Sequence, residues 1–303
     1  VAATTPPVPV VPAADSNGGG SFASSNAVGG SISDLNSGAT ATTPSASFPI
    51  PARTVANTPS STRTIDDGQF GPRLAAAWTR TADLADEGEF AQALEELSFF
   101  YGDSRLSAEE DAALMAWLDG LAAKVIYSTE PHIEPLYIVR EGDSLTTVAG
   151  AFGVTEELLF NINQDKLQNM SGGLVPGTEL KVLTGPFRLK VEPTRGWVTL
   201  LLGNHYAGRF SLRSQTGLTS TRELQVQQRF DDGRDFSAGL TSLPARDAEN
   251  PLGRYVVELS DGTMLHEAGL SAVPIERSIG VSGPDAYDLF SILGVGSQVQ
   301  IIE

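Results

Sequence analysis

The 303-residue chain contains no cysteine, which excludes disulfides, thiolate metal sites and a cysteine nucleophile together. Histidine is nearly as scarce. His132, His205 and His266 are the only 3, and they lie in separate segments with no zinc-ligand spacing. No apolar run reaches the roughly 18 residues of a membrane-spanning helix. Basic side chains are outnumbered, 20 Lys and Arg against 37 Asp and Glu, for a net charge of −17. An acidic surface repels phosphate backbones, so no nucleic-acid partner is expected. A Walker loop, a Rossmann fingerprint and a metalloprotease helix are all missing, so no cofactor and no metal is expected. The chain begins at Val1 rather than Met, which leaves room for an export or anchoring segment ahead of it.

What is present falls into four stretches. Residues 1–64 are Ala, Ser, Thr, Pro, Gly and Val with almost no charge. Such a composition buries too little apolar area to offset ordering entropy, and a disordered linker or spacer is expected. Residues 65–133 change to helical periodicity: Leu74, Trp78, Thr81 and Ala85, then Phe90, Leu94, Leu97 and Tyr101, then Leu114, Leu118, Leu121 and Val125. Gly88 breaks the first two runs, and Ser107 with Glu110 forms a capping box before the third. Two or three short helices packed as a hairpin are expected. This stretch carries 14 acidic against 4 basic side chains, a net of −10. It reads as a solvated outer face, or as a docking face for an envelope partner.

Residues 134–184 spell a β-α-α-β unit. Tyr137-Ile138-Val139 is β-prone, and Gly142-Asp143-Ser144-Leu145 turns the chain into a helix capped by Asp143 or Ser144. Leu145, Val148, Ala149 and Phe152 form the apolar side of that helix, and Gly153 stops it. Val154, Leu158, Leu159 and Ile162 fit a second helix ending near Asn163, and Leu174-Val175-Pro176-Gly177 leads into the strand Leu180-Lys181-Val182. The string from Tyr137 to Leu145, Phe152-Gly153-Val154, Leu158-Leu159, Asn163 and Pro176-Gly177-Thr178-Glu179-Leu180 resembles the LysM family over the whole module. That resemblance implies binding of N-acetylglucosamine-containing glycans, typically peptidoglycan. The sugar would lie in a shallow groove with Gly142, Asp143, Ser144 and Leu145 on one side and Asn163, Leu174, Val175 and Pro176 on the other. Backbone groups exposed in two turns suit N-acetyl and hydroxyl groups, and small apolar side chains suit the acetyl methyl. The same glycine and proline positions also serve turn geometry alone.

Residues 185–303 are dominated by strand signals. Phe187–Val191 alternates, Trp197–Leu202 is a β-prone run, and Tyr255–Leu259 and Thr263–Leu265 flank the hairpin pair Asp261-Gly262. Ser282-Gly283-Pro284-Asp285 opens one helix, and Val299–Ile301 closes the chain as a strand. Asp231-Asp232-Gly233-Arg234-Asp235 is acidic and Gly-bearing but lacks the spaced ligands of a calcium loop, so a solvated hairpin tip is expected.

Several strings here resemble the L,D-transpeptidase (YkuD-type) domain: Asn250-Pro251-Leu252-Gly253-Arg254-Tyr255, Leu265-His266, Ser278-Ile279-Gly280 ahead of Asp285–Leu289, and Gly294–Ile301. The family's chemistry requires a cysteine thiolate and a histidine base, read as Ser-His-Gly-Cys followed by an apolar residue and Arg. Laid on this chain, Ser278 and Gly280 match, Ile279 takes the histidine position, Val281 the cysteine position and Gly283 the arginine position. His266 falls at the family's earlier, substrate-side histidine. No catalytic residue is therefore expected. The whole chain reads as a multidomain α+β protein: an exported, non-catalytic cell-wall binder of the bacterial envelope with a pseudoenzyme domain as scaffold or stem-peptide binder. The alternatives are a transpeptidase-class enzyme with another nucleophile, and an envelope interaction protein using the acidic helices.

Overall fold

A computed structural model describes residues 71–168, 173–239, 241–270 and 273–303. The expected spacer at 1–64 lies outside the described residues.

Three helices come first: α1 (Pro72–Asp86), α2 (Phe90–Ser98) and α3 (Ala108–Ala122), the last running into a π-helical turn over Ala123–Tyr127. The capping box forms as the sequence predicts, with Glu110 N donating to Ser107 Oγ (3.2 Å) and Ser107 N to Glu110 Oε2 (2.8 Å). Glu110 does more than cap. Its Oε1 also accepts Gly71 N at 2.7 Å, which ties the start of α1 to the start of α3. Trp78 and Trp117 meet edge to face with ring centroids 5.5 Å apart.

The next unit is β1 (Tyr137–Ile138), α4 (Leu145–Phe152), α5 (Glu156–Asn161), α6 (Gln164–Leu167) and β2 (Glu179–Leu180), with β1 and β2 antiparallel. Gly153 ends α4 in the left-handed region at φ 67°. The second expected helix is α5, ending just before Asn163 as the sequence predicts, and α6 follows it as a further short helix. Asn163 sits between them at φ −122°, and its Nδ2 donates back to Leu159 O (2.9 Å), a local bond that competes with helix continuation.

The rest of the chain is β3 (Phe187–Glu192), β4 (Trp197–Leu202), β5 (His205–Ser211), β6 (Ser214–Thr216), β7 (Arg222–Phe230), β8 (Phe236–Ala238), β9 (Thr241–Leu243), β10 (Val256–Leu259), β11 (Met264–Glu267), β12 (Ser278–Val281), α7 (Gly283–Ile292) and β13 (Gln298–Ile301). Nine of these strands form one sheet in the order β5-β4-β3-β13-β7-β10-β11-β12-β6, and β8 pairs only with β9. β13 runs parallel to β3, and β11 parallel to β12; the other pairs are antiparallel. Asp231–Asp235 connects β7 to β8 and is not the tip of a hairpin between paired strands, which corrects that expectation. Two of its three carboxylates are engaged: Asp232 pairs with Arg246, and Asp235 Oδ1 accepts Ala245 N at 2.9 Å.

The helices do not stand apart from the sheet. Leu94, Leu97, Leu114 and Leu118 belong to the same buried cluster as Leu189, Val198, Leu200 and Tyr206. α2 and α3 lie on the edge strand β5, and side chains of α2 and of the π-helical turn bond two of its backbone groups. Ser98 Oγ accepts Tyr206 N (2.9 Å), and Tyr127 OH donates to Ala207 O (2.7 Å). A sheet edge that would otherwise invite another strand is thereby closed by side chains.

Candidate functional site

Two turns flank β1 and β2. In the first, Asp143 N donates to Arg140 O (3.2 Å), and Gly142 takes φ +87°, a conformation that favours glycine. Asp143 Oδ2 accepts both Arg140 N and Tyr137 OH at 2.7 Å, and these bonds lower its pKa below the usual carboxylate value. Ser144 and Thr147 cap α4 reciprocally, with Thr147 N donating to Ser144 Oγ (3.1 Å) and Ser144 N to Thr147 Oγ1 (2.9 Å). In the second turn, Thr178 N donates to Val175 O (3.1 Å), with Pro176 and Gly177 at its corner. The two are stitched together at Val139, whose O accepts Gly177 N (2.8 Å) and whose N donates to Thr178 O (2.9 Å).

Gly142, Ser144 and Pro176 are exposed, Asp143, Leu145 and Leu174 are half-buried, and Val175 is 53% exposed. Leu145 and Leu174 pack against both small apolar clusters of the unit, so they contribute core as well as wall. Asn163 does not belong with this group, which corrects the expectation that it faces ligand. It is fully buried, its Nδ2 also donates to Lys181 O (2.8 Å), and its Oδ1 accepts Lys181 N (2.7 Å).

The surfaces that bind this unit to the rest of the protein use other residues. Thr155 Oγ1 donates to Ser291 O, and Arg229 Nη2 donates to Glu157 Oε1 (2.9 Å) and Phe290 O (2.8 Å). Gly185 approaches Gly153 so closely that a Cβ on it would stand 2.2 Å from Gly153 O. Sequence reasoning missed one member of this junction. Lys181 is wholly buried between Leu180 and Val182, and its Nζ donates to the carbonyls of Val125 (2.5 Å), Ser128 (2.6 Å) and Pro131 (2.9 Å). Three consecutive buried residues break the period of two, and the lone lysine in an apolar strand was the available signal.

The second candidate site lies where β11 and β12 run side by side. Their register sets His266 opposite Gly280 and Met264 opposite Ser278. Strand alternation then puts Ser278 and Gly280 on one face with His266, and Ile279 and Val281 on the other with Leu265. Ile279 and Val281 are 0% exposed within the main core. His266 is 3% exposed, and its Nδ1–H donates to Glu267 O at 2.7 Å. Burial lowers its pKa, with the backbone at Glu267 and Pro251 opposing that in part. Ser278 Oγ is 2.9 Å from Thr216 Oγ1, and Arg213 N donates to Gly280 O (2.7 Å). A Cβ on Gly280 would meet Ser214 Oγ at 2.1 Å, so β6 lies directly against this strand. Among the described residues no cluster of His, Cys, Asp and Glu fit for a metal forms, and no helix is long and apolar enough to cross a membrane.

The fold is that of a multidomain α+β protein with a small βαααβ unit between its helices and its large sheet. Residues 137–183 are a LysM domain, matching that family along the whole unit. Similar solved structures include L,D-transpeptidase 1 of Mycobacterium tuberculosis, at 16% identity and TM-score 0.33, covering 43% of this chain and 68% of that one. An L,D-transpeptidase from Mycobacterium smegmatis is 14% identical, covering 43% of this chain and 65% of that one at TM-score 0.31. The L,D-transpeptidase (Yku) of Stackebrandtia nassauensis is 12% identical, covering 82% of this chain and 98% of that one at TM-score 0.29. The chain thus spans about two thirds of the length of the two mycobacterial proteins. None of the curated proteins compared matches it.

Proposed function

We propose that this is a non-catalytic cell-envelope protein that binds peptidoglycan, or another N-acetylglucosamine-containing glycan, through its LysM domain. In this reading 1–64 is a spacer, 65–133 a helical layer, 134–184 the glycan module and 185–303 a pseudoenzyme domain acting as scaffold. One observation carries it: the groove turns of a matched LysM domain are open, while all of Ser278, Ile279, Gly280, Val281 and His266 are buried. Acyl transfer requires a nucleophile within reach of a base and of the acyl carbonyl. Val281 has no lone pair and Ile279 accepts no proton; both are fully buried in the main core, and β6 pairs along the edge of the strand that bears them. The burial of these positions also favours scaffold over stem-peptide binder. A single shallow groove binds weakly, and attachment to a polymer with many repeats raises its occupancy.

The test is sedimentation of the purified chain with insoluble peptidoglycan, paired with mass spectrometry after incubation with a tetrapeptide-stem donor. Co-sedimentation with no covalent adduct is expected. A chain left in the supernatant would overturn the glycan reading, and an acyl adduct the non-catalytic one.

A further inference from the structure

Lys181 is the feature of this molecule that neither fold class nor family match accounts for. An ammonium has three donors and no acceptor. Here all three end on backbone carbonyls, those of Val125, Ser128 and Pro131, and none on a carboxylate. These carbonyls lie in and just beyond the π-helical turn that ends the helical layer. Carbonyls at a helix C-terminus lack intrahelical partners and carry partial negative charge, so a cation from elsewhere in the fold caps them.

The same residue is gripped from its other side. Its backbone N and O bond to the Asn163 side chain, which holds the end of β2 against the start of α6. Glu179 and Leu180, immediately before it, form β2, and the Val175–Thr178 turn leads directly into that strand. Side-chain and backbone bonds therefore run in series from the helical layer, through Lys181, to one wall of the groove.

We propose that Lys181 is a positioning residue for the glycan groove: its ammonium fastens the closing strand of the LysM domain, and with it the Val175–Thr178 turn, to the end of the helical layer. The assignment rests on the glycan-binding reading above for its functional meaning, and on the bonds alone for its structural meaning. Burial moves the Lys181 pKa down to about 8, so its proton is lost in an accessible range. The charged side chains of the elements packed there are Lys124, Glu130, His132, Glu134, Asp165, Lys166 and Glu179, and none is bonded to Nζ.

The test uses the full chain, wild type and Lys181→Met, with chitotetraose as probe. Calorimetry should show affinity several-fold weaker in the variant at neutral pH. Wild-type affinity should fall as pH rises past 8, the neighbourhood of the Lys181 pKa, while the variant stays weak and flat. Hydrogen exchange on the same proteins reads the inference without sugar. The amides of Val139 and Gly177 should exchange faster in the variant, while that of Val148 in α4 keeps its rate. Equal exchange at Val139 and Gly177 in both proteins overturns the assignment, as does a sugar affinity blind to both the substitution and pH. A wild type that ignores chitotetraose yet shows the exchange difference defeats the glycan reading alone. If Lys181→Met fails to fold, the wild-type exchange rates at pH 7 and pH 9.5 decide instead, with Val139 and Gly177 accelerating beyond the intrinsic pH effect seen at Val148.

Discussion

Glu267 and Gly283 occupy one space: a Cβ on Gly283 would stand 2.5 Å from Glu267 Oε1 and 2.8 Å from its Cδ. The resemblance to L,D-transpeptidases assigns an arginine to position 283. In this chain a carboxylate from the neighbouring strand lies there, at the first turn of α7. No side chain larger than glycine's fits at position 283 while Glu267 keeps this place.

That relationship is measurable as a coupling. Gly283→Ala should lower stability by about 1–3 kcal/mol, the usual cost of overpacking. In a Glu267→Ala background the same change should cost little. Urea denaturation of the four proteins of the double-mutant cycle checks it, and additive effects would show that the two side chains do not compete.

Installing the reactive pair that the transpeptidase resemblance assigns should not create chemistry. A thiol installed by Val281→Cys enters a position with no exposed surface. Burial raises a thiol's pKa, and the thiolate is the nucleophile. The Ile279→His/Val281→Cys protein should therefore resist a thiol reagent such as 5,5′-dithiobis(2-nitrobenzoate) while folded and react fully in guanidinium. It should also show no turnover of a tetrapeptide-stem donor. Rapid labelling of the native protein would contradict the burial argument.

Asp288 supplies a pH dependence with a defined sign. It is 2% exposed on α7, and burial, with the Asp285 charge second, raises its pKa from 3.8 to about 8. The folded chain thus keeps a proton that the unfolded chain releases near 3.8. The associated stability is complete below that value and is lost as pH rises to about 8. Asp288→Asn should remove this loss, gaining on the order of 2–5 kcal/mol relative to wild type between pH 4 and pH 8. The difference in urea midpoint between the two proteins across that range is the readout. Comparing the pair cancels the opposite trend of Asp103 and Glu110, whose pKa values are lowered by bonds to Arg105 and to the backbone N–H groups of Ser107 and Gly71.

Val175 tests the groove without touching the core. At 53% exposure, Val175→Asp should shift stability by no more than about 0.5 kcal/mol. On the proposed glycan reading it should nonetheless reduce retention on peptidoglycan sharply, because a charge replaces the apolar side chain proposed to meet the sugar. Undiminished retention would remove Val175 from the binding surface.

Local chemistry was legible in the sequence wherever a side chain serves its own segment. Ser107 and Glu110 cap α3, Gly153 ends α4, and Asp261-Gly262 turns β10 into β11 with Thr263 N on Asp261 Oδ1. The groove turns at Gly142 and Gly177 were readable for the same reason, since positive φ leaves glycine as the natural choice. What escaped depends on partners distant in the chain. β6 has no alternation to betray it, being exposed at all three residues and set by its pairing to β12. Asn163 looked like a polar wall residue because its partner, Lys181, is a backbone 18 positions away. Lys181 itself points to carbonyls more than 50 residues upstream for its first two bonds, a distance no local pattern spans.

The Thr155–Ser291 bond, the Arg229 bridge and the close meeting of Gly153 with Gly185 fasten the LysM domain to α7, to β7 and to the segment leading into β3. A pull on the LysM domain would then pass directly into α7 and β7.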